Sequence, residues 1–209
     1  MLTRVKVCGI TNLEDALAAL EAGADMLGFN FYARSPRYVS PAAARKIIER
    51  LPKGVTPVGV FVNESAPAEV ERIAREAGLG AVQLHGDESP AYCQSLHGLT
   101  TIKALRVGAE YSVESAAAYA TDAVLLDSYV TGARGGTGHT FDWTLAALTR
   151  ERVPRLLLAG GLNPDNVATA VAAVRPYAVD VCSGVETAPG RKSPELMRLF
   201  VEQVKSSRQ

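Results

Sequence analysis

Three side chains that can take up or release protons stand where short apolar runs end. Val5 to Val7 stops at Cys8, Ala81 to Leu84 at His85, and Val124 to Leu126 at Asp127. A carboxylate directly after three apolar residues is costly unless it is paired, hydrogen-bonded or used. A cysteine in such a place is either a small buried hydrophobe or a reactive thiol. His85 shares strand parity with Gln83, so both face one side, as satisfied structural residues or as parts of a site. Asp180 and Cys182 also share parity, and they read first as a buried, hydrogen-bonded structural pair.

Two glycine pairs follow later runs, Gly160-Gly161 and Ser183-Gly184. A phosphate dianion suits backbone N–H groups that glycine lets come close, whereas the ordinary reading of each pair is a tight turn. Between Phe31 and Tyr38, a long connection carries Arg34 and Arg37. A guanidinium there either clamps a carboxylate in bidentate geometry or faces solvent. Only three histidines exist, and His97 and His139 fall at a helix end and in a loop, so no ligand spacing for a metal assembles.

The elements that must position these groups alternate. Besides the three runs above, apolar runs end at Asn30, Asn63, Arg106, Gly160-Gly161 and Ser183-Gly184, eight in all. Runs this short and this apolar fit parallel strands buried on both faces. Ser40-Pro41, Ser89-Pro90, Asn163-Pro164 and Ser193-Pro194 each put a capping side chain before a proline suited to the first helical position. Thr11 with Glu14 reads as a capping box for a first helix with the stripe Leu13, Ala16, Leu17 and Leu20, and Val167, Ala170, Val171 and Val174 repeat that stripe later. Further helices are expected near 67–77, 90–97, 113–119 and 143–149. Eight alternations point to a closed (β/α)8 TIM barrel forming a single compact domain over 1–209, ahead of an open doubly wound sheet. In a barrel the strand C-termini converge, which would make neighbours of Cys8, His85 and Asp127. The glycine cluster Arg134 to Gly138 then reads as a mobile lid in a long connection.

Lysine plus arginine equals aspartate plus glutamate at 22 each, so the overall field attracts neither nucleic acid nor an anionic membrane. No apolar run approaches the roughly 18 residues of a membrane span, and the first residues read as a strand rather than a signal peptide. Three cysteines without metal-ligand spacing suggest reduced thiols in a cytoplasmic protein. A monomer and a homodimer are both compatible with the chain.

A resemblance runs through the same residues. Lys6-Val7-Cys8-Gly9-Ile10-Thr11, Ser35-Pro36-Arg37-Tyr38, Val82-Gln83-Leu84-His85-Gly86, Leu126-Asp127-Ser128, Gly160-Gly161-Leu162-Asn163-Pro164 and Ser183-Gly184-Val185-Glu186 occur in the order found in phosphoribosylanthranilate isomerases. So do Val60-Phe61-Val62-Asn63, Gly135-Gly136-Thr137-Gly138 and Thr140-Phe141-Asp142-Trp143, so the chain resembles that family along its whole length. Three positions depart from the family pattern: Asn30 at an often apolar site, His139 where lysine is common, and Cys182 where a serine-like residue is expected.

The resemblance implies a barrel enzyme of tryptophan biosynthesis that performs a metal-free and cofactor-free Amadori rearrangement of a phosphorylated aminosugar. It implies Cys8 as general base, Asp127 as general acid and Arg37 as partner of the anthranilate carboxylate, with Gln83 and His85 beside the substrate. The phosphate would rest on Gly160, Gly161, Ser183 and Gly184. Two other readings remain: a different phosphosugar barrel enzyme, which would need metal ligands or a strand-end lysine such as Lys6 or Lys103, and a catalytically silent phosphate-binding barrel.

Overall fold

The computed structural model describes residues 2–128 and 143–207. The cluster at 134–138 and His139 lie outside the described residues. Eight parallel strands, β1 (Arg4–Cys8), β2 (Met26–Asn30), β3 (Thr56–Phe61), β4 (Ala81–Leu84), β5 (Thr100–Val107), β6 (Ala123–Ser128), β7 (Leu156–Leu158) and β8 (Ala178–Val181), pair in sequence order. Closure comes from β1 on β8, where Lys6 registers with Asp180 and Val7 with Val181. This is the expected (β/α)8 barrel.

Helices α1 (Leu13–Ala22), α2 (Pro41–Ile48), α3 (Pro67–Ala77), α4 (Pro90–Gln94), α5 (Val113–Ala117), α6 (Trp143–Arg150), α7 (Val167–Val174) and α8 (Pro194–Ser206) connect and cover the strands. The side chains of Ser40, Ser89 and Ser193 accept from backbone N–H groups of α2, α4 and α8, as their Ser-Pro pairs require. Asn163-Pro164 does not cap α7. It forms a preceding turn in which Asn163 Oδ1 accepts from Asp165 N, and the helix begins at Val167. Thr11 is not the cap of α1 either: Asn12 accepts from Asp15 N at 2.8 Å, while the Thr11 hydroxyl donates to Gly190 O. Leu17 is exposed, and α1 packs on Ala16 and Ala19 instead. The helices expected over 90–97 and 113–119 each stop after five residues, at Gln94 and Ala117.

Outward-facing strand residues such as Val7, Leu27, Phe61, Val82, Leu126 and Val179 meet the helices in one continuous apolar layer. Inside the barrel, Met26, Val58, Ala81, Ile102, Leu125, Leu157 and Ala178 form a separate plug. Two residues further along the strands the same inward positions become polar: Ala81 gives way to Gln83, Leu125 to Asp127 and Ala178 to Asp180. The period of two along a strand therefore places the change from plug to site at one height around the barrel. Beyond β8, Ser183–Val185 forms a single 3-10 turn, and β9 (Glu186–Ala188) pairs antiparallel with β10 (Arg191–Lys192) beside the barrel mouth.

Candidate active site

A cavity of about 520 Å³ opens at the C-terminal ends of the strands. Its wall includes Cys8 from β1, Gln83 and His85 from and after β4, Asp127 from β6 and Arg37 from the β2–α2 connection. Gly160, Gly161 and Ser183 close the other side. Gly184 is not on the wall. It lies behind it, where an added Cβ would fall 2.0 Å from Leu162 O. The groups that the sequence scattered over some 180 positions therefore share one space of substrate size.

Cys8 sits within an ordered set of charges. Lys6, two residues earlier and on the same inward face, is fully buried and donates to Asp180 Oδ1 at 2.8 Å. Burial opposes the charge on Lys6, but Asp180 and Cys8 more than offset it, so the ammonium form is held. The Cys8 thiol lies well below its ordinary value. A hydrogen bond from Cys182 does most to lower it, burial works the other way, and Lys6 and Lys192 add their positive charge. Asp180 has the buried, hydrogen-bonded role expected for it, yet Asp180 and Cys182 also line the cavity.

Asp127 is buried and bonded to an imidazole: His85 Nε2 lies 3.2 Å from Asp127 Oδ2, and His85 Nδ1 lies 2.8 Å from Gln83 Nε2. Gln83 Oε1 is buried without a partner among the described residues. With Nε2 of the amide toward the ring, the imidazole accepts from Gln83 and donates to the carboxylate. With the amide turned over, Oε1 gains a donor in Nδ1–H, and ring Nε2 becomes an acceptor for a protonated Asp127. The triad can thus serve both forms of the carboxyl group.

Arg37 is half-buried and held by Glu186. Nε donates to Oε1 at 2.9 Å and Nη2 to Oε2 at 2.7 Å. Lys192 reaches the same carboxylate, with Nζ 2.8 Å from Oε1. Burial tends to raise the Glu186 carboxyl, but Arg37 and Lys192 prevail and bring it below its ordinary value.

Gly160 and Gly161 have φ of +85° and +67°, the left-handed region that suits glycine. A side chain at 160 would also strike the backbone N of Ser128 at 2.4 Å. Without side chains at 160 and 161, the backbone there can come close to an anion.

Sequence reading did not assign Lys6, Glu186 or Lys192 to the site. Glu186 and Lys192 lie on a hairpin too short to register as strands, and their partners Arg37 and Cys182 come from other connections. Lys103, the other lysine of the barrel strands, points away from the cavity and is sealed in a 2.7 Å ion pair with Glu88.

Comparison with known proteins places the whole chain among one family. Residues 5–203 match the family model for N-(5'phosphoribosyl)anthranilate (PRA) isomerase. The chain is 53% identical over 204 residues to the N-(5'-phosphoribosyl)anthranilate isomerase of Citrifermentans bemidjiense, covering 98% of each. It is similar to the crystal structure of phosphoribosyl anthranilate isomerase from Thermotoga maritima, with a TM-score of 0.92 and 46% identity over 98% of this chain and all of that one. A second phosphoribosyl anthranilate isomerase structure, in complex with reduced 1-(o-carboxyphenylamino)-1-deoxyribulose 5-phosphate, gives a TM-score of 0.88 at 45% identity with the same coverage.

Proposed function

The chain belongs to the N-(5'-phosphoribosyl)anthranilate isomerase family, an enzyme of tryptophan biosynthesis, and from that premise we propose how its cavity divides the reaction among its residues. N-(5-phosphoribosyl)anthranilate is converted to 1-(2-carboxyphenylamino)-1-deoxyribulose 5-phosphate. Asp127 gives a proton to the ring oxygen as the C1–O bond breaks and the aniline nitrogen shares its lone pair with C1. The resulting iminium acidifies the C2 hydrogen, which Cys8 removes as thiolate. The enolamine then takes a proton at C1 and releases one from the C2 hydroxyl, so the substrate neither gains nor loses protons.

His85 holds Asp127 and, with Gln83, orients it toward the ring oxygen. Arg37 binds the anthranilate carboxylate with the guanidinium edge that Glu186 leaves open. The phosphate lies against the backbone of Gly160, Gly161 and Ser183, with Gly184 behind them letting the two loops close together. Placing the phosphate and the carboxylate at opposite walls stretches the sugar between them, over the acid and the base.

The observation that carries this reading is the sharing of one cavity by Cys8, Asp127 and Arg37. A phosphosugar enzyme that works through a lysine finds less support, because Lys6 and Lys103 are each buried against a carboxylate. The direct test follows the fluorescence of N-(5-phosphoribosyl)anthranilate after the protein is added. Steady loss of that signal is expected, and a signal that decays no faster than without protein would reject the reading.

A further inference from the structure

Lys103 and Glu88 form an almost wholly buried ion pair that none of these steps uses. Lys103 stands on β5 between Ile102 and Ala104 of the inner plug, so its own side chain lies on the outer face of the strand. Two charges buried there are costly unless their remaining bonding capacity is filled. One short stretch of backbone fills it. Lys103 Nζ donates to Leu84 O at 3.2 Å, to Gly86 O at 2.8 Å and to Glu88 Oε2 at 2.7 Å, which occupies its three hydrogens. Glu88 completes the loop of bonds: Gly86 N donates to Oε2 at 2.9 Å and Asn63 N to Oε1 at 2.8 Å.

These partners bracket His85. The carbonyl before it, on Leu84, and the amide after it, on Gly86, are both held by the ion pair, while its own N–H donates to Phe61 O at 2.8 Å. From the β3–α3 connection, Asn63 Oδ1 accepts from Asp87 N at 2.6 Å. The turn is so close that a Cβ at Gly86 would fall 2.1 Å from Asn63 Oδ1 and 2.7 Å from Glu88 Oε1. The main chain of His85 is therefore fixed from outside the barrel, and its ring is held inside by Gln83 at 2.8 Å and meets Asp127 at 3.2 Å. All three acceptors of Lys103 fall on residues 84, 86 and 88, so the brace is centred on the residue that touches the acid.

We propose that the buried Lys103–Glu88 pair is a positioning pair of the isomerisation, bracing the peptide groups on both sides of His85 so that its imidazole meets Asp127. This rests on His85 holding Asp127 as the general acid.

The test is a double-mutant cycle on kcat with the full chain, Lys103→Met, His85→Ala and the two combined, each assayed where circular dichroism shows it folded. Lys103→Met and His85→Ala should each lower kcat by about tenfold or more. The combined variant should stay within about twofold of His85→Ala alone, because the brace has nothing to aim once the ring is gone. A purely structural pair would instead give losses that multiply. Multiplying losses, or a kcat in Lys103→Met within about twofold of the parent, would overturn the proposal. Should Lys103→Met fail to fold around an unpaired Glu88, Lys103→Met with Glu88→Gln leaves no uncompensated charge and carries the same cycle. Full turnover in His85→Ala would remove His85 from the reaction and the proposal with it, whereas loss in His85→Ala without loss in Lys103→Met would overturn the brace alone.

Discussion

Glu186 holds Arg37 from behind, taking Nε and Nη2 at 2.9 and 2.7 Å and leaving the Nη1 edge of the guanidinium for a ligand. Glu186→Gln should loosen that orientation and raise KM by about tenfold while kcat falls less, and Arg37→Ala should raise KM further. The Glu186 carboxyl lies below its ordinary value, so the clamp is complete above pH about 4.3 and is lost only as the pH falls through the lowered value. Steady-state kinetics of both variants decide this. An unchanged KM in Arg37→Ala would remove the residue from substrate binding.

Cys8→Ala and Asp127→Asn should each keep the barrel and lower kcat by about 10²-fold or more, the scale of positioned acid–base catalysis. Circular dichroism checks the fold and single turnovers check the chemistry. Near-normal turnover in either variant would take that side chain out of its role.

The pH dependence follows from the lowered Cys8 thiol. A base must be deprotonated to act, so kcat/KM should fall as the pH drops through the lowered folded thiol value. Since that value is lowered, the acid limb belongs below the ordinary cysteine value of about 8.5. A limb centred at or above that value would mean an unactivated thiol.

Gly184 contributes through what it lacks. Leu162 O would lie 2.0 Å from a Cβ at this position, and Asn163 Cβ 3.0 Å. Gly184→Ala must therefore push the turn after β8 away from the loop after β7. We expect a loss of about 1–3 kcal/mol in denaturant unfolding and weaker binding of inorganic phosphate as a competitive inhibitor. Wild-type stability and inhibition together would show that the two loops are not in contact.

The strands were legible because their apolar runs are short and end at polar residues, and the parity of Gln83 with His85 followed from the period of two. Contacts made by barrel closure were not. Lys6 and Asp180 lie 174 residues apart, and Arg37 and Glu186 149 apart. Each pair depends on the register of β1 against β8 or on where a hairpin rests, which local pattern does not encode. The errors near helix starts have a nearer cause. Thr11 and Asn12 are both good caps, and the choice went to Asn12 once Gly190 O had taken the Thr11 hydroxyl. Asn163-Pro164 looks like a helix start, but its amide side chain bonds Asp165 N within a turn. Leu17 continues the stripe of α1 in sequence, yet the close approach of α1 to the barrel is made by Ala16 and Ala19.

The buried pair of Lys6 and Asp180 offers the sharpest separation of structure from chemistry. Lys6→Met leaves a carboxylate without its cation at the centre of the barrel, which should cost about 3–5 kcal/mol, because the cost of desolvating a charge is no longer offset by its partner. Lys6→Met with Asp180→Leu removes both charges and should recover most of that loss, as replacement of buried ion pairs by apolar residues often does. The two roles then part. The double variant regains its unfolding midpoint in urea but still lacks the ammonium beside Cys8, so its thiol should ionise at higher pH and turnover at neutral pH should stay low. Recovery of stability and turnover together would confine Lys6 to holding the barrel. Failure to recover stability would mean that the pair contributes more than mutual neutralisation.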